Sequence, residues 1–68
     1  MKITFSSYDY QALFDMTREE MNAFRRYVFD YCTTHNIDYQ QTNEPHTNSE
    51  EEQQFLDKRL EEFYRIWE

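Results

Sequence analysis

The sequence from residue 50 to residue 68 reads EEEQQFLDKRLEEFYRIWE, and its apolar residues recur at the spacing of one helical face. An α-helix turns about 100° per residue, so these side chains form one apolar arc. The arc consists of Phe55, Leu56, Leu60, Phe63, Ile66 and Trp67. The segment is therefore predicted to form an amphipathic helix over residues 50–67 that packs against a core.

Four carboxylates lie on the opposite side of the same predicted helix. They recur at steps of 7, 4 and 7 residues, which places them within roughly 40° of one another around the axis. They are Glu50, Asp57, Glu61 and Glu68, and we call them the acidic stripe. At a helical rise of about 1.5 Å per residue the stripe spans about 27 Å, comparable in scale to a stretch of phosphate backbone although without its regular repeat. We expect it to contact arginine or lysine side chains of a partner.

The sequence predicts three helices, because the same N-terminal capping pattern recurs before three amphipathic segments. In each case a Ser or Thr is followed three residues later by an acid. The two side chains accept hydrogen bonds from backbone N–H groups that have no partner within the helix. The pairs are Ser6 with Asp9, Thr17 with Glu20, and Ser49 with Glu52. The predicted helices lie near residues 7–15, 18–35 and 50–67. Asn36 should end the middle helix, since asparagine tolerates the left-handed backbone conformation.

Two short stretches, residues 3–5 and 37–39, alternate apolar and polar side chains as a half-buried strand does. They are candidates for a minimal two-stranded β-ribbon, and the alternative is extended coil. Residues 40–49 are polar and contain the only proline, which is typical of an exposed connection. The predicted fold is mainly α: one compact three-helix domain over residues 1–68, which becomes α+β if the two stretches pair.

The charge is strongly negative, with 14 acidic residues against 7 basic ones and a net charge of -7. This balance argues against direct binding to nucleic acid or to anionic membranes, because both require clustered Lys and Arg. A basic surface on another protein is the natural partner, since a negative field steers positive surfaces. The single cysteine allows no internal disulfide, and no signal peptide or membrane-length apolar run is visible, so a cytoplasmic location is expected.

The sequence offers little catalytic chemistry. The chain contains no glycine, and phosphate-binding loops need residues without a side chain. Cys32 and His35 lie at i, i+3 and would form a thiolate and base pair on one helix face, but Cys32 falls on the apolar arc and His35 in the last turn. We expect these two residues to be structural. One Cys and two His lack zinc-site spacing, so we expect no catalytic residue, metal or cofactor.

Phe29 is the aromatic residue whose position is hardest to explain by packing alone. Aromatic residues make up 19% of the chain, and Phe29 projects about 130° from the centre of the apolar arc of its helix. Its helical neighbours include Arg25 and Arg26. Either a partner covers Phe29, or Leu13 and Phe14 of the first helix do.

The sequence favours a noncatalytic protein-binding domain that docks on a basic surface of its target. In its specific form it is an inhibitor or nucleic-acid mimic directed against a nucleic-acid enzyme, as compact acidic proteins carried by phages and mobile elements often are. The alternative is a structural or regulatory module that forms a homodimer through Phe29 and exposed tyrosines.

Overall fold

Three helices and a two-stranded parallel sheet make up the fold, in the order β1, α1, α2, β2, α3. A computed structural model describes residues 1–67. The elements are β1 (Lys2–Ser6), α1 (Ser7–Ala12), α2 (Arg18–Thr34), β2 (Asp38–Thr42) and α3 (Glu50–Ile66). Most residues are therefore helical, as predicted, and the two alternating stretches do pair, which makes the fold a mixed α+β one.

The sheet joins two strands that are far apart in the sequence. Ile3 lies opposite Tyr39, and Phe5 lies opposite Gln41, in a parallel register. Parallel strands need a long crossover connection, and here α1 and α2 supply it. Both strands extend beyond the predicted stretches, so the exposed connection predicted from residue 40 begins only after Thr42.

Capping explains where the two long helices begin. The Thr17 hydroxyl accepts a hydrogen bond from the Glu20 backbone N–H (3.1 Å), and the Glu20 carboxylate accepts one from the Thr17 N–H (3.3 Å). Ser49 and Glu52 form the same reciprocal pair before α3. Asn36 adopts φ 58° just after α2, as predicted. These boundaries were predictable because each depends on neighbouring residues.

The first helix is shorter than predicted. It was expected to run to residue 15 but ends at Ala12, with Leu13 as its C-cap. Asp15 then takes φ 54°, and the backbone N–H of Met16 donates to the Tyr10 carbonyl (3.1 Å). This turn buries the Met16 side chain in the core. Burying the Met16 side chain stabilises the fold more than one additional turn of α1 would, because so short a helix is not stable alone.

The core lies where the sheet meets α2 and α3. Its buried members are Ile3, Phe5, Tyr10, Met16, Met21, Phe24, Val28, Cys32, Leu56 and Phe63. The apolar arc of α3 differs from the prediction at one end, since Ile66 is 67% exposed in the last turn. Arg59 is instead only 5% exposed on the inner side of α3.

Candidate partner-binding surface

The outer face of α3 carries the acidic stripe as far as the structure describes it. Glu50, Asp57 and Glu61 are all exposed. Glu68 lies outside the described residues. The capping box at Ser49 fixes the start of the helix, so these three carboxylates lie on a regular scaffold rather than on a loop.

The chain neutralises only part of this stripe. Arg65 Nη2 lies 2.8 Å from Glu61 Oε1, with both side chains largely exposed. Such an i, i+4 pair contributes only about 0.3–0.5 kcal/mol, so a partner's cation can compete for Glu61. Asp57 accepts a hydrogen bond from the neutral Gln53 amide (2.8 Å), and within residues 1–67 no cation pairs with Glu50 or Asp57.

Glu52 lies on the same helix but is part of the fold. Its carboxylate accepts hydrogen bonds from the Thr4 backbone N–H on β1 and from the Ser49 N–H, both at 3.2 Å. Desolvation opposes ionisation of this group, but the hydrogen bonds from Ser49 and Thr4 prevail and lower the pKa of Glu52 below its ordinary 4.5. This acid therefore closes the outer edge of β1 and is not available to a partner.

Arg59 and Glu62 form an ion pair on the inner side of α3. The Arg59 guanidinium lies 4.1 Å from the Tyr31 ring centroid and 4.9 Å from that of Phe55. Arg59 Nη2 donates to Glu62 (3.1 Å), while Nε lies 2.9 Å from the same carboxylate without a hydrogen-bonding angle. The Tyr27 hydroxyl also donates to Glu62 (2.9 Å) and is the largest cause of its lowered pKa. Cation–π contacts and pairing stabilise this buried charge.

A groove of about 510 Å³ lies beside the acidic stripe. One wall is formed by the end of α1, where Leu13 is 71% exposed and Phe14 is also exposed. The other wall is the segment from Pro45 to Asn48, together with Gln53 of α3. The groove therefore has an apolar side and a polar side, an arrangement common in binding sites.

Hydrogen bonds connect the polar wall of the groove to the acidic stripe. The Asn48 amide donates to Gln53 Oε1 (3.2 Å), and the Gln53 amide donates to Asp57 Oδ1 (2.8 Å). Asn48 Oδ1 and His46 Nε2 are buried, yet within residues 1–67 neither has a hydrogen-bond partner. Buried polar atoms of this kind normally have a partner. The polar wall of the groove is thus linked to Asp57 through Gln53, while Asn48 Oδ1 lies beneath the surface without a hydrogen-bond partner in the described residues.

The pKa of Tyr10, a residue of the groove, is affected by two nearby acids. Burial raises the pKa of Tyr10 well above its ordinary value, and the carboxylates of Asp57 and Asp9 raise it further. Tyr10 and Asp9 both line the groove. The negative field of Asp57 therefore reaches into the groove as well as over the outer face of α3.

Phe29 does not join this surface. It is 46% exposed on α2, and its ring lies edge-on to Tyr39 of β2 with centroids 5.4 Å apart. Of the two alternatives for Phe29, cover by Leu13 and Phe14 does not occur, because both residues remain exposed and Phe14 packs on Tyr10 instead. The structure therefore separates the predicted partner-binding residues into two surfaces.

Cys32 and His35 have the structural roles expected of them. Cys32 is fully buried in the core, and burial raises the pKa of its thiol, which disfavours the reactive thiolate. His35 is the C-cap of α2 and stacks on Tyr31 with ring centroids 4.1 Å apart. In the part of the chain described here, no three His, Cys, Asp or Glu side chains are placed to hold a metal ion.

No helix among residues 1–67 is both long enough and apolar enough to span a membrane.

The groove was not predicted from the sequence. Leu13 and Phe14 were read as the apolar face of a longer first helix, and residues 45–48 as featureless loop. In the sequence, Pro45 and His46 lie between polar residues. This pattern predicts a turn but does not reveal which residues the turn packs against. The groove exists only because α1 ends early and the loop returns beside α3.

Comparisons of the chain with protein-family models, with curated proteins and with solved structures find no match.

Proposed function

We propose that this chain is a noncatalytic acidic protein-binding domain that docks on a basic surface of a target protein through α3 and the adjoining groove. The observation that carries the proposal is the position of Asp57. This carboxylate belongs to the acidic stripe and is hydrogen-bonded to the wall of the groove. One arginine or lysine side chain of a partner can therefore contact both.

Electrostatics supports the outer face of α3 as the first point of contact. The second half of the chain, residues 35–68, holds nine acids and three bases. Two of those bases, Arg59 and Arg65, are already paired with Glu62 and Glu61. The remaining field accelerates encounter with a positive surface and weakens as salt is added.

The groove supplies chemistry that discriminates among basic partners. A guanidinium or ammonium group donates several hydrogen bonds and accepts none, which suits the exposed Asp57 carboxylate beside the groove. The methylene stem of the same side chain packs on exposed apolar surface, which Leu13 and Phe14 provide. The favoured target segment therefore presents Arg or Lys beside an apolar residue.

The specific form of the proposal is an inhibitor that occupies the nucleic-acid site of an enzyme. It is supported by the helical spacing of Glu50, Asp57 and Glu61, which puts carboxylates at about 10.5 Å and 6 Å along the axis. An inhibitor of this kind competes with duplex DNA or RNA for its target. A partner that binds nucleic acid and this chain at the same time excludes that form but not the broader function.

The groove is tested by NMR titration with Nα-acetyl-arginine amide, and with the citrulline amide as a neutral control of nearly the same shape. We expect saturable shifts of the side-chain amides of Asn48 and Gln53 with the arginine compound only. Asp57→Asn should reduce the affinity, because it removes the carboxylate and leaves the groove in place. The matched control is Glu51→Gln, another exposed acid of α3.

Two results of this titration contradict the proposal. Equal shifts with both compounds mean that charge is not recognised. Shifts that are spread over the whole acidic surface, and are unaffected by Asp57→Asn, mean that the groove is not a site.

A further inference from the structure

The two outer edges of the sheet differ in the hydrogen bonding of their backbone N–H and C=O groups. The N–H of Thr4 turns away from β2 to donate to Glu52, so Ile3 and Phe5 are the residues of β1 that bond to β2. In the parallel register this leaves the backbone N–H and C=O groups of Tyr39 and Gln41 on the far side of β2. Within residues 1–67 no hydrogen bond reaches these four groups.

This free edge of β2 lacks most of the usual devices that prevent pairing, and its one charged residue, Asp38, lies at the first position of the strand. The strand reads DYQQT, with no proline and no lysine, and its register is continuous across all five residues. Natural proteins normally protect an exposed edge with such residues, a bulge or a covering segment. A sheet of only two strands is also marginal, and added strands stabilise it.

An apolar contact lies beside the edge. The exposed ring of Phe29 meets Tyr39, and a depression of about 500 Å³ next to them is bordered by Arg25 and Gln41. Arg25 donates to the Gln41 side chain (3.3 Å), which holds that side chain over the sheet face. An added strand would therefore form backbone hydrogen bonds with the edge and also pack on an aromatic surface.

The local charge of this surface indicates which partner can supply the added strand. Arg25 and Arg26 on α2 are balanced by Asp30 and Asp38, so the local charge is close to zero. The chain as a whole carries -7. Two copies of an acidic protein repel each other least where they meet through a neutral face.

We infer that a second copy of this chain pairs with the free edge of β2, antiparallel, about a two-fold axis at Gln40. In this register Tyr39 of each copy lies opposite Gln41 of the other. The two pairs exchange four backbone hydrogen bonds, which uses every free N–H and C=O of the edge. The product is a four-stranded sheet.

The dimer goes beyond the proposed function and leaves it intact. A two-fold axis normal to the sheet keeps both α2 helices on one face, so the two Phe29 side chains approach each other. Glu52 links α3 to the opposite edge, that of β1, so the two acidic stripes lie at the outer ends of the dimer. The dimer therefore presents two docking surfaces.

The test is sedimentation velocity from low to high micromolar concentration, with variants that separate the backbone from the side chain. Gln41→Pro removes an N–H that has no partner among residues 1–67, whereas Gln41→Ala keeps it. We expect Gln41→Pro to weaken dimerisation about tenfold to a hundredfold, since two symmetric hydrogen bonds are lost, and Gln41→Ala to dimerise. Circular dichroism checks that both variants fold.

A second pair of variants does not depend on proline being tolerated. Phe29→Asp places a charge beside the axis and should abolish the dimer, while Tyr8→Asp, at a site equally exposed (46%), should not. Added salt should tighten the dimer by screening like charges, the opposite of its effect on a basic partner. In hydrogen exchange, the Tyr39 and Gln41 amides should gain protection as concentration rises.

A monomer at every concentration and salt overturns the dimer, as does a dimer that survives both Gln41→Pro and Phe29→Asp. Neither result affects the arginine titration, which concerns the other side of the molecule. Loss of arginine binding with the dimer unchanged would remove the proposed function alone.

Discussion

Charged residues occur on both faces of α3, and the two faces use them differently. On the inner face Glu52 hydrogen-bonds β1, and Arg59 lies between aromatic rings and Glu62. On the outer face, among the described residues, Glu50 and Asp57 bond only to neutral amides of their own helix. The inner charges therefore make contacts between elements of the fold, whereas the outer ones make contacts only along α3, and we expect the inner charges to contribute more to stability.

The largest effect is expected on the inner face. Glu52→Ala removes the capping partner of Ser49 and leaves the Thr4 N–H unsatisfied, which should lower the free energy of unfolding by about 2–4 kcal/mol. Glu51→Ala, one residue away and exposed, should change it by less than about 0.5 kcal/mol. Urea denaturation measures both, and equal losses would contradict the distinction between the faces.

Acid should affect stability through the same inner carboxylate. The folded protein holds the pKa of Glu52 below its ordinary 4.5. Its contribution is therefore fully present above the unfolded-state pKa and is lost as the pH falls through the lower folded value. Glu52→Gln, which cannot titrate, should reduce this acid limb in urea denaturation at a series of pH values, and Glu62, whose pKa is also lowered, accounts for part of what remains. A variant whose pH dependence equals that of the unmodified chain would show that Glu52 is not the responsible group.

The smallest effect on stability is expected on the outer face. The triple variant Glu50→Gln, Asp57→Asn, Glu61→Gln removes the described part of the acidic stripe. It loses only the exposed pair with Arg65 and amide contacts, so its free energy of unfolding should stay within about 0.5 kcal/mol of the parent. A loss as large as that of Glu52→Ala would mean that the stripe is structural and not free to bind.

The features predicted from the sequence are those fixed by neighbouring residues. The Thr17 and Ser49 caps and the left-handed Asn36 each depend on contacts a few residues apart, and all three were predicted. The third cap was half right, because Ser6 accepts from the Asp9 N–H in the manner of an N-cap but α1 does not reach residue 15.

The features that were missed depend on residues distant in the sequence. The burial of Arg59 was not predicted, because its position on α3 does not reveal the Tyr31 ring that α2 places over it. The groove was missed for the same reason, since Leu13 and Asn48 meet only in the folded chain. The acidic stripe was predicted because it lies on one helix.

Two triple variants with the same net charge test whether the outer face of α3 is the part of the molecule that binds a basic partner. The stripe variant and a control, Asp15→Asn, Glu19→Gln, Glu44→Gln, both change the charge from -7 to -4, because each neutralises three exposed acids. Each is immobilised, and proteins of a source-cell extract are bound at low salt and eluted with a salt gradient. We predict that a basic protein retained by the parent is retained by the control variant and lost by the stripe variant. Equal retention by both variants would contradict the account, because the outer face of α3 would then have no specific part in binding.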